Sequence, residues 1–243
     1  MTHPLGRRDF LLGAAALAAS ACARRAGVGL SSARHERVVL FQGDSITDNY
    51  RLRTDTAASH ERALGTGYPL LVSAALLRDR PDAAWRFYNR GISGNKVPDL
   101  DARWQDDTIA LRPDVLSILI GVNDYWHVRL GRYAGTVADY ERGLDALLAR
   151  TRTALPDVRL VVLEPFVLVT GQVDATWLAP MAERRAACRR VAEHAGATFV
   201  PLQQAFDDAA ARTGPSYWLA DGVHPTAAGD ALIAQHWLRA TAL

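Results

Sequence analysis

The chain is almost without lysine and almost without cysteine. Lys96 is the single lysine among its 28 basic residues, and the rest are arginine. The formal net charge is only +2, set against 26 acidic residues, so composition makes no electrostatic case for a nucleic-acid partner. The arginine excess reads as base-composition bias in the coding DNA rather than as phosphate recognition. Cys22 and Cys188 are the two cysteines, too few for a disulfide framework or a multi-cysteine metal site. No apolar run reaches the ~20 residues of an ordinary membrane span. With 22% charged and 49% hydrophobic residues, the composition is that of an ordinary globular protein and not of a disordered one.

Residues 1–30 read as an export signal and tether. Arg7-Arg8 precedes Asp9-Phe10-Leu11-Leu12 and the small, apolar run Gly13–Ala19, a pattern that resembles a bacterial twin-arginine signal. Ala19-Ser20-Ala21-Cys22 resembles a lipobox, with Ala19 where leucine is usual. The small residues Ala21-Cys22-Ala23 instead suit ordinary signal peptidase. Both readings imply an exported, periplasmic or extracellular protein. They differ on a lipid anchor at Cys22. Residues 31–243 then form one domain, after a tether that reaches about residue 36.

Five apolar runs alternate with segments of helical period. The expected strands are Val38–Gln42, Trp85–Asn89, Val115–Ile120, Val158–Leu163 and a weaker Thr198–Pro201. Runs this apolar suit a parallel sheet buried on both faces. The expected helices are Pro69–Arg78, Asp99–Leu111, Val137–Thr153, Met181–His194, Leu202–Ala211 and Ala227–Leu238. This alternation predicts an α/β protein, a doubly wound three-layer α/β/α sandwich. The long connections Thr47–Gly67 and Phe166–Ala179 both follow strands, at the sheet end where such folds bind ligands.

Four short stretches carry chemistry. Gly43-Asp44-Ser45-Ile46-Thr47-Asp48 sets a hydroxyl just past the first strand, where free backbone N–H groups can meet a negative oxygen. The same residues also suit a helix cap. Asp221-Gly222-Val223-His224-Pro225, near the C-terminus, holds a carboxylate and an imidazole three residues apart. A serine nucleophile needs a base to take its proton and an acid to orient that base. Asn89–Asn95 follows the second strand and Gly121-Val122-Asn123-Asp124 the third. Their glycine N–H groups and asparagine amide could hold an oxyanion, although each stretch alone is a common turn.

Taken together and in order, Gly43-Asp44-Ser45, Gly94, Gly121-x-Asn123-Asp124 and Asp221-x-x-His224 resemble the four blocks of the SGNH (GDSL) hydrolases. The resemblance implies a flavodoxin-like fold with a five-stranded parallel sheet and no cofactor or metal. It implies Ser45 as nucleophile, His224 as base and Asp221 as its orienting acid. The N–H groups of Ser45 and Gly94, with the Asn123 amide, would form the oxyanion hole; Gly91 is the alternative to Gly94. The stretches 89–95, 102–104, 117–124 and 217–221 are more similar still to bacterial carbohydrate acetylesterases acting on acetylated xylan and xylo-oligosaccharides. The implied partner is therefore an acetylated small carbohydrate or oligosaccharide. Where that branch would have Ala-Gly-Arg after Asp48, this chain has Asn49-Tyr50-Arg51, which leaves the pocket rim and the glycan open.

Trp126 and Trp218 flank the expected site and are candidates for stacking on a sugar. Trp104 reads as core, His127 either as a substrate contact or as an exposed loop histidine, His60 as a loop residue, His194 as a helix-end histidine and Cys188 as an inert helical thiol. Three rivals stand beside the esterase. An α/β-hydrolase would need Gly-x-Ser-x-Gly, and residues 43–47 lack the second glycine. A metallophosphoesterase built on Asp44 and Asn123-Asp124 would need additional histidine ligands. A non-catalytic carbohydrate-binding lipoprotein would have no need for Ser45, Asp221 and His224 together. A broad short-chain esterase or thioesterase would share the chemistry. Oligomeric state is left open.

Overall fold

The computed structural model describes residues 36–243. The export segment and Cys22 lie outside the described residues. Five parallel strands form one sheet: β1 Arg37–Gly43, β2 Trp85–Asn89, β3 Val115–Leu119, β4 Arg159–Leu163 and β5 Thr198–Val200. Their order is β2-β1-β3-β4-β5, the flavodoxin-like order. Register is pinned by alternate burial. Val39, Phe41, Phe87, Leu119, Val161 and Leu163 enter one core layer, while Leu40, Leu116, Ile118, Leu160 and Val162 enter the other. A one-residue slip would exchange the two sets.

Nine α-helices are described. Short α1 (Ser45–Asp48) and α2 (Glu61–Leu64) interrupt the first long connection, and α3 (Tyr68–Asp79) leads to β2. Then follow α4 (Val97–Trp104), α5 (Val122–Arg129), α6 (Val137–Ala154), α7 (Leu178–His194), α8 (Gln203–Thr213) and α9 (Ala227–Thr241). Residues of α3, α8 and α9 pack in the first core layer, and residues of α4 and α6 in the second. Buried polar groups tie the layers together. Asp230 of α9 accepts the Tyr68 N–H at the start of α3 (3.0 Å), and the Trp237 indole donates to Ser117 Oγ on β3 (2.9 Å).

Besides the short α1 and α2, two helices differ from expectation. The helix expected over Asp99–Leu111 starts at Val97, and after Trp104 it widens into a π turn, Gln105–Ile109. Pro98 suits a first helical turn, and the Asp99 carboxylate accepts the Lys96 N–H at 2.8 Å. In the widened turn the Asp107 carbonyl accepts from buried Gln42 (3.0 Å), a partner supplied by β1. Helix α5 was not expected from periodicity. Its buried residues Val122, Asn123 and Asp124 are consecutive, so it has no apolar stripe.

The Trp237–Ser117 bond is wholly enclosed, so its loss leaves a donor without water. Ser117→Ala should destabilise the protein by about 1–3 kcal/mol, the cost of an orphaned buried N–H. A urea midpoint unchanged from wild type would show that the indole needs no partner there.

Candidate active site

β2 and β3 lie on opposite sides of β1, so the connections leaving β1 and β3 part to opposite faces of the sheet. This opens a crevice at the strands' carboxyl ends. Ser45 stands at that point as the first residue of α1. Asp44 caps the helix: its Oδ1 accepts the Ile46 N–H at 3.0 Å. Asn89 at the end of β2 staples the crevice together. Its amide donates to the Thr47 and Leu64 carbonyls, and its oxygen accepts the Gly91 N–H at 2.9 Å.

The structure brings Ser45, His224 and Asp221 into one chain of hydrogen bonds. Ser45 Oγ lies 2.8 Å from His224 Nε2, across 179 positions of sequence. His224 Nδ1 lies 2.8 Å from Asp221 Oδ2. The other carboxylate oxygen accepts the N–H groups of Val223 (3.0 Å) and His224 (2.8 Å). Partial burial alone would raise the Asp221 pKa. The His224 backbone and ring bonds and the Val223 N–H outweigh it and hold the carboxyl below its usual range. The acid is thereby kept ionised against the imidazole.

The second long connection holds this loop in place. Leu168 donates to the Gly222 carbonyl (3.0 Å) and Gln172 to the Asp221 carbonyl (2.8 Å). At Gly222 φ is +92°, and a Cβ there would come within 2.6 Å of the Thr170 and Leu168 carbonyl oxygens. Only glycine allows that approach. A bridge between Leu219 and Pro225 closes the loop on itself.

Ser45 and His224 face two clefts. The smaller, about 280 Å³, is lined by Ser45, Gly94, Asn123, Trp126, His127 and His224 among others. Among the described residues, the N–H groups of Ser45 and Gly94 have no acceptor within the protein. Asn123 donates one amide hydrogen to the Asn95 carbonyl at 3.2 Å, which orients the group and leaves its second hydrogen unused. Gly91, the alternative to Gly94, has its N–H bonded to Asn89 and is packed against Thr47 and Asp48. The Trp126 ring centroid lies 5.9 Å from that of His224, and the indole lines this cleft. Trp218 is not among the residues lining either cleft. Its indole donates to Thr213 Oγ1 at 2.8 Å and its ring meets Tyr217 edge-on.

The larger cleft, about 540 Å³, has a rim of which the motifs pointed only to Asn49-Tyr50-Arg51. Asp48, Asn49, Tyr50, Arg51, Arg53 and Ser93 line it beside Ser45 and His224. Asp48 Oδ2 accepts from the Ser93 N–H (3.0 Å), the Ser93 hydroxyl (2.8 Å) and Arg53. Burial would raise the Asp48 pKa, but the Arg53 and Ser93 bonds prevail and lower it. Arg51 reaches the Gly91 carbonyl at 2.8 Å, and burial brings its pKa down to about 10. The bonds that join Asp48, Arg53 and Ser93 leave no periodic signal, which is why that part of the rim was missed.

The bland assignments fit their positions. Trp104 is enclosed and bonded to Thr151 Oγ1 (3.0 Å), His194 pairs with Asp145 and His60 with Asp55. Burial raises the Cys188 thiol to about 12. His127, expected on a loop, instead lies in helix α5 and lines the smaller cleft, where burial and then Lys96 lower its pKa.

Fold and site together define a carboxylic ester hydrolase. The GDSL-like lipase/acylhydrolase family model matches residues 41–232, and the chain belongs to that family. An acetylxylan esterase of Geobacillus stearothermophilus is 35% identical over 212 residues, spanning 83% of this chain and 92% of the relative. A crystal structure of an acetylxylan esterase from that organism superposes with a TM-score of 0.76 at 34% identity, covering 85% of this chain and 94% of the other. Catalytic mutants of that esterase have been made at a serine, an aspartate and a histidine three residues beyond the aspartate. An α/β-hydrolase enzyme from the metagenome of Lake Arreo, Spain, aligns at 36% identity with a TM-score of 0.77, covering 85% and 95% of the two chains.

Beneath the site, burial raises the carboxyls of Asp44 and Asp124 to about 7. An unfolded aspartate titrates near ~4, so between these values the folded protein binds more protons than the unfolded one. Stability is therefore fullest below the lower value and declines as pH rises through the upper. Each proton contributes a slope of at most about 1.4 kcal/mol per pH unit. Asp44→Asn keeps the acceptor for Ile46 and removes one titration. Urea midpoints between pH 5 and 8 should fall less steeply in this variant, and an equal slope would contradict the raised carboxyl.

Proposed function

We propose that this protein removes acetyl groups from carbohydrate hydroxyls, with acetylated xylo-oligosaccharide or a related glycan as substrate. The observation that carries the reading is the unbroken Ser45–His224–Asp221 hydrogen-bond chain beside the donors of Gly94 and Asn123. The relatives support the substrate class, and the spacing of the aspartate and histidine mutants supports the assignment of Asp221 and His224.

In the reaction, His224 Nε2 takes the Ser45 hydroxyl proton while Oγ bonds to the ester carbonyl carbon. The carbonyl oxygen becomes an oxyanion, held by the N–H groups of Ser45 and Gly94 and by the free Asn123 amide hydrogen. Asp221 keeps the imidazole oriented and stabilises its positive charge. As the bond to the sugar oxygen breaks, the imidazolium returns the proton to that oxygen. Water then repeats the sequence on the acetyl-serine, releasing acetate and restoring the hydroxyl. Trp126, against the imidazole and in the smaller cleft, shields the reacting centre. We also place the protein outside the cytoplasm, on the twin-arginine pattern at Arg7-Arg8.

Acetate release from acetylated xylo-oligosaccharides should be lost in Ser45→Ala, and a fluorophosphonate should label wild type but not that variant. Preference for long acyl chains over acetyl would defeat the deacetylase reading. Asn123→Ala should lower kcat by about 10²–10³, the usual effect of removing one oxyanion donor; a loss below tenfold would remove Asn123 from that role.

A further inference from the structure

Tyr50 is 93% exposed, more than any other large hydrophobic residue described as exposed. Its φ is +60°, a left-handed conformation that is sterically costly for a residue with a bulky side chain. Neighbours impose this posture. Asn49, with φ +34°, donates to Asp230 Oδ2 (3.0 Å), and its carbonyl accepts the Thr66 N–H (2.9 Å). On the other side, the Arg51 N–H is bonded to the Asp48 carbonyl (2.9 Å) and its guanidinium to Gly91. Among the described residues the Tyr50 ring has no hydrogen-bond, aromatic or cation partner. The fold thus holds an aromatic ring in water in a strained conformation, and nothing within the chain benefits from it.

Its place suggests what does. Tyr50 and Arg51 belong to the 540 Å³ cleft that contains Ser45 and His224, and also to a second cleft of about 460 Å³ lined by Leu52, Glu61, Arg62, Thr66 and Leu70. Each volume is ample for a small ligand. An aromatic ring between two clefts, with apolar Leu70 and polar Glu61, Arg62 and Thr66 beyond it, matches a pyranose chain, which has apolar C–H faces and hydroxyl edges. We propose that Tyr50 is a stacking platform for a sugar unit beyond the acetylated one, carrying an oligosaccharide from the reacting centre into the second cleft. This rests on the deacetylase reading and adds to it a preference for oligomers over single sugars.

The test is acetate release from acetylated xylose, xylobiose and xylotetraose, with p-nitrophenyl acetate as a substrate that cannot span both clefts. In wild type, kcat/KM should rise with sugar length. Tyr50→Ala should reduce the ratio of xylotetraose to p-nitrophenyl acetate kcat/KM by roughly tenfold, mainly through KM, as expected for one lost aromatic contact. Tyr50→Phe should keep the ratio, since the ring and not the hydroxyl is invoked. Tyr50→Gly should lose it while melting no lower than wild type, because glycine accepts the backbone conformation. No rise with sugar length, or equal losses on every substrate, would overturn the platform while leaving Ser45-dependent deacetylation intact. A change of oligomeric state in Tyr50→Ala would overturn it in favour of a subunit contact. Failure to release acetate from any of the sugars, with p-nitrophenyl acetate still cleaved, would defeat the glycan reading and the platform together.

Discussion

The hydrogen bond from Ser45 to His224 depends on two remote pieces of backbone being held against each other to within a few tenths of an ångström. Ser45 is carried by the end of β1, and its orientation is set by the cap at Asp44 and the staple at Asn89. His224 is carried by a loop with no regular structure of its own. Its position comes from Asp221 inside the loop and from the Phe166–Ala179 connection outside it. Gly222 and Gly171 are points of close approach between the two, so that connection acts as a brace.

The surroundings of this bond are costly for the fold. Asp44 and Asp124 are enclosed carboxyls whose Oδ2 atoms have no partner among the described residues, and burial biases both toward the neutral form. Asp230 also has a raised pKa, although it receives hydrogen bonds from Tyr68 and Asn49. A few residues beyond Asp44, Asn49 and Tyr50 occupy left-handed conformations. Polar burial and backbone strain gather at the carboxyl end of β1, whereas the two apolar layers hold the register of the sheet. This division is common in enzymes, where stability is supplied at a distance from the chemistry.

Much of the fold was legible because both faces of the sheet are buried. Val38–Gln42, Val115–Ile120 and Val158–Leu163 are nearly all apolar, and helices such as Val137–Ala154 show a clear stripe of Tyr140, Leu144, Leu147 and Leu148. Helices α1 and α5 were not legible, since four residues, or three consecutive buried ones, carry no period. In the site, Ser45, Gly94, Asn123, Asp221 and His224 stood out through motif order. The cluster of Asp48, Arg53 and Ser93 did not, because its members are polar residues whose meaning lies in their mutual bonds. Trp218 turns its indole to Thr213 and Tyr217, since proximity in sequence to Asp221 does not decide which way an indole faces.

What the sequence determined alone was the alternation of buried strands with amphipathic helices, and the identity and order of the groups able to do acyl-transfer chemistry. Both are local properties, written in side-chain period and in short motifs. The tertiary structure decided the rest: that Ser45 and His224 meet, that Gly91 is spent on packing while Gly94 opens to the cleft, that Trp126 faces the imidazole and Trp218 does not, and that Tyr50 stands between two clefts. Those outcomes depend on distances between residues far apart in the chain, and such distances exist only once the sheet has set the direction of every loop at its edge.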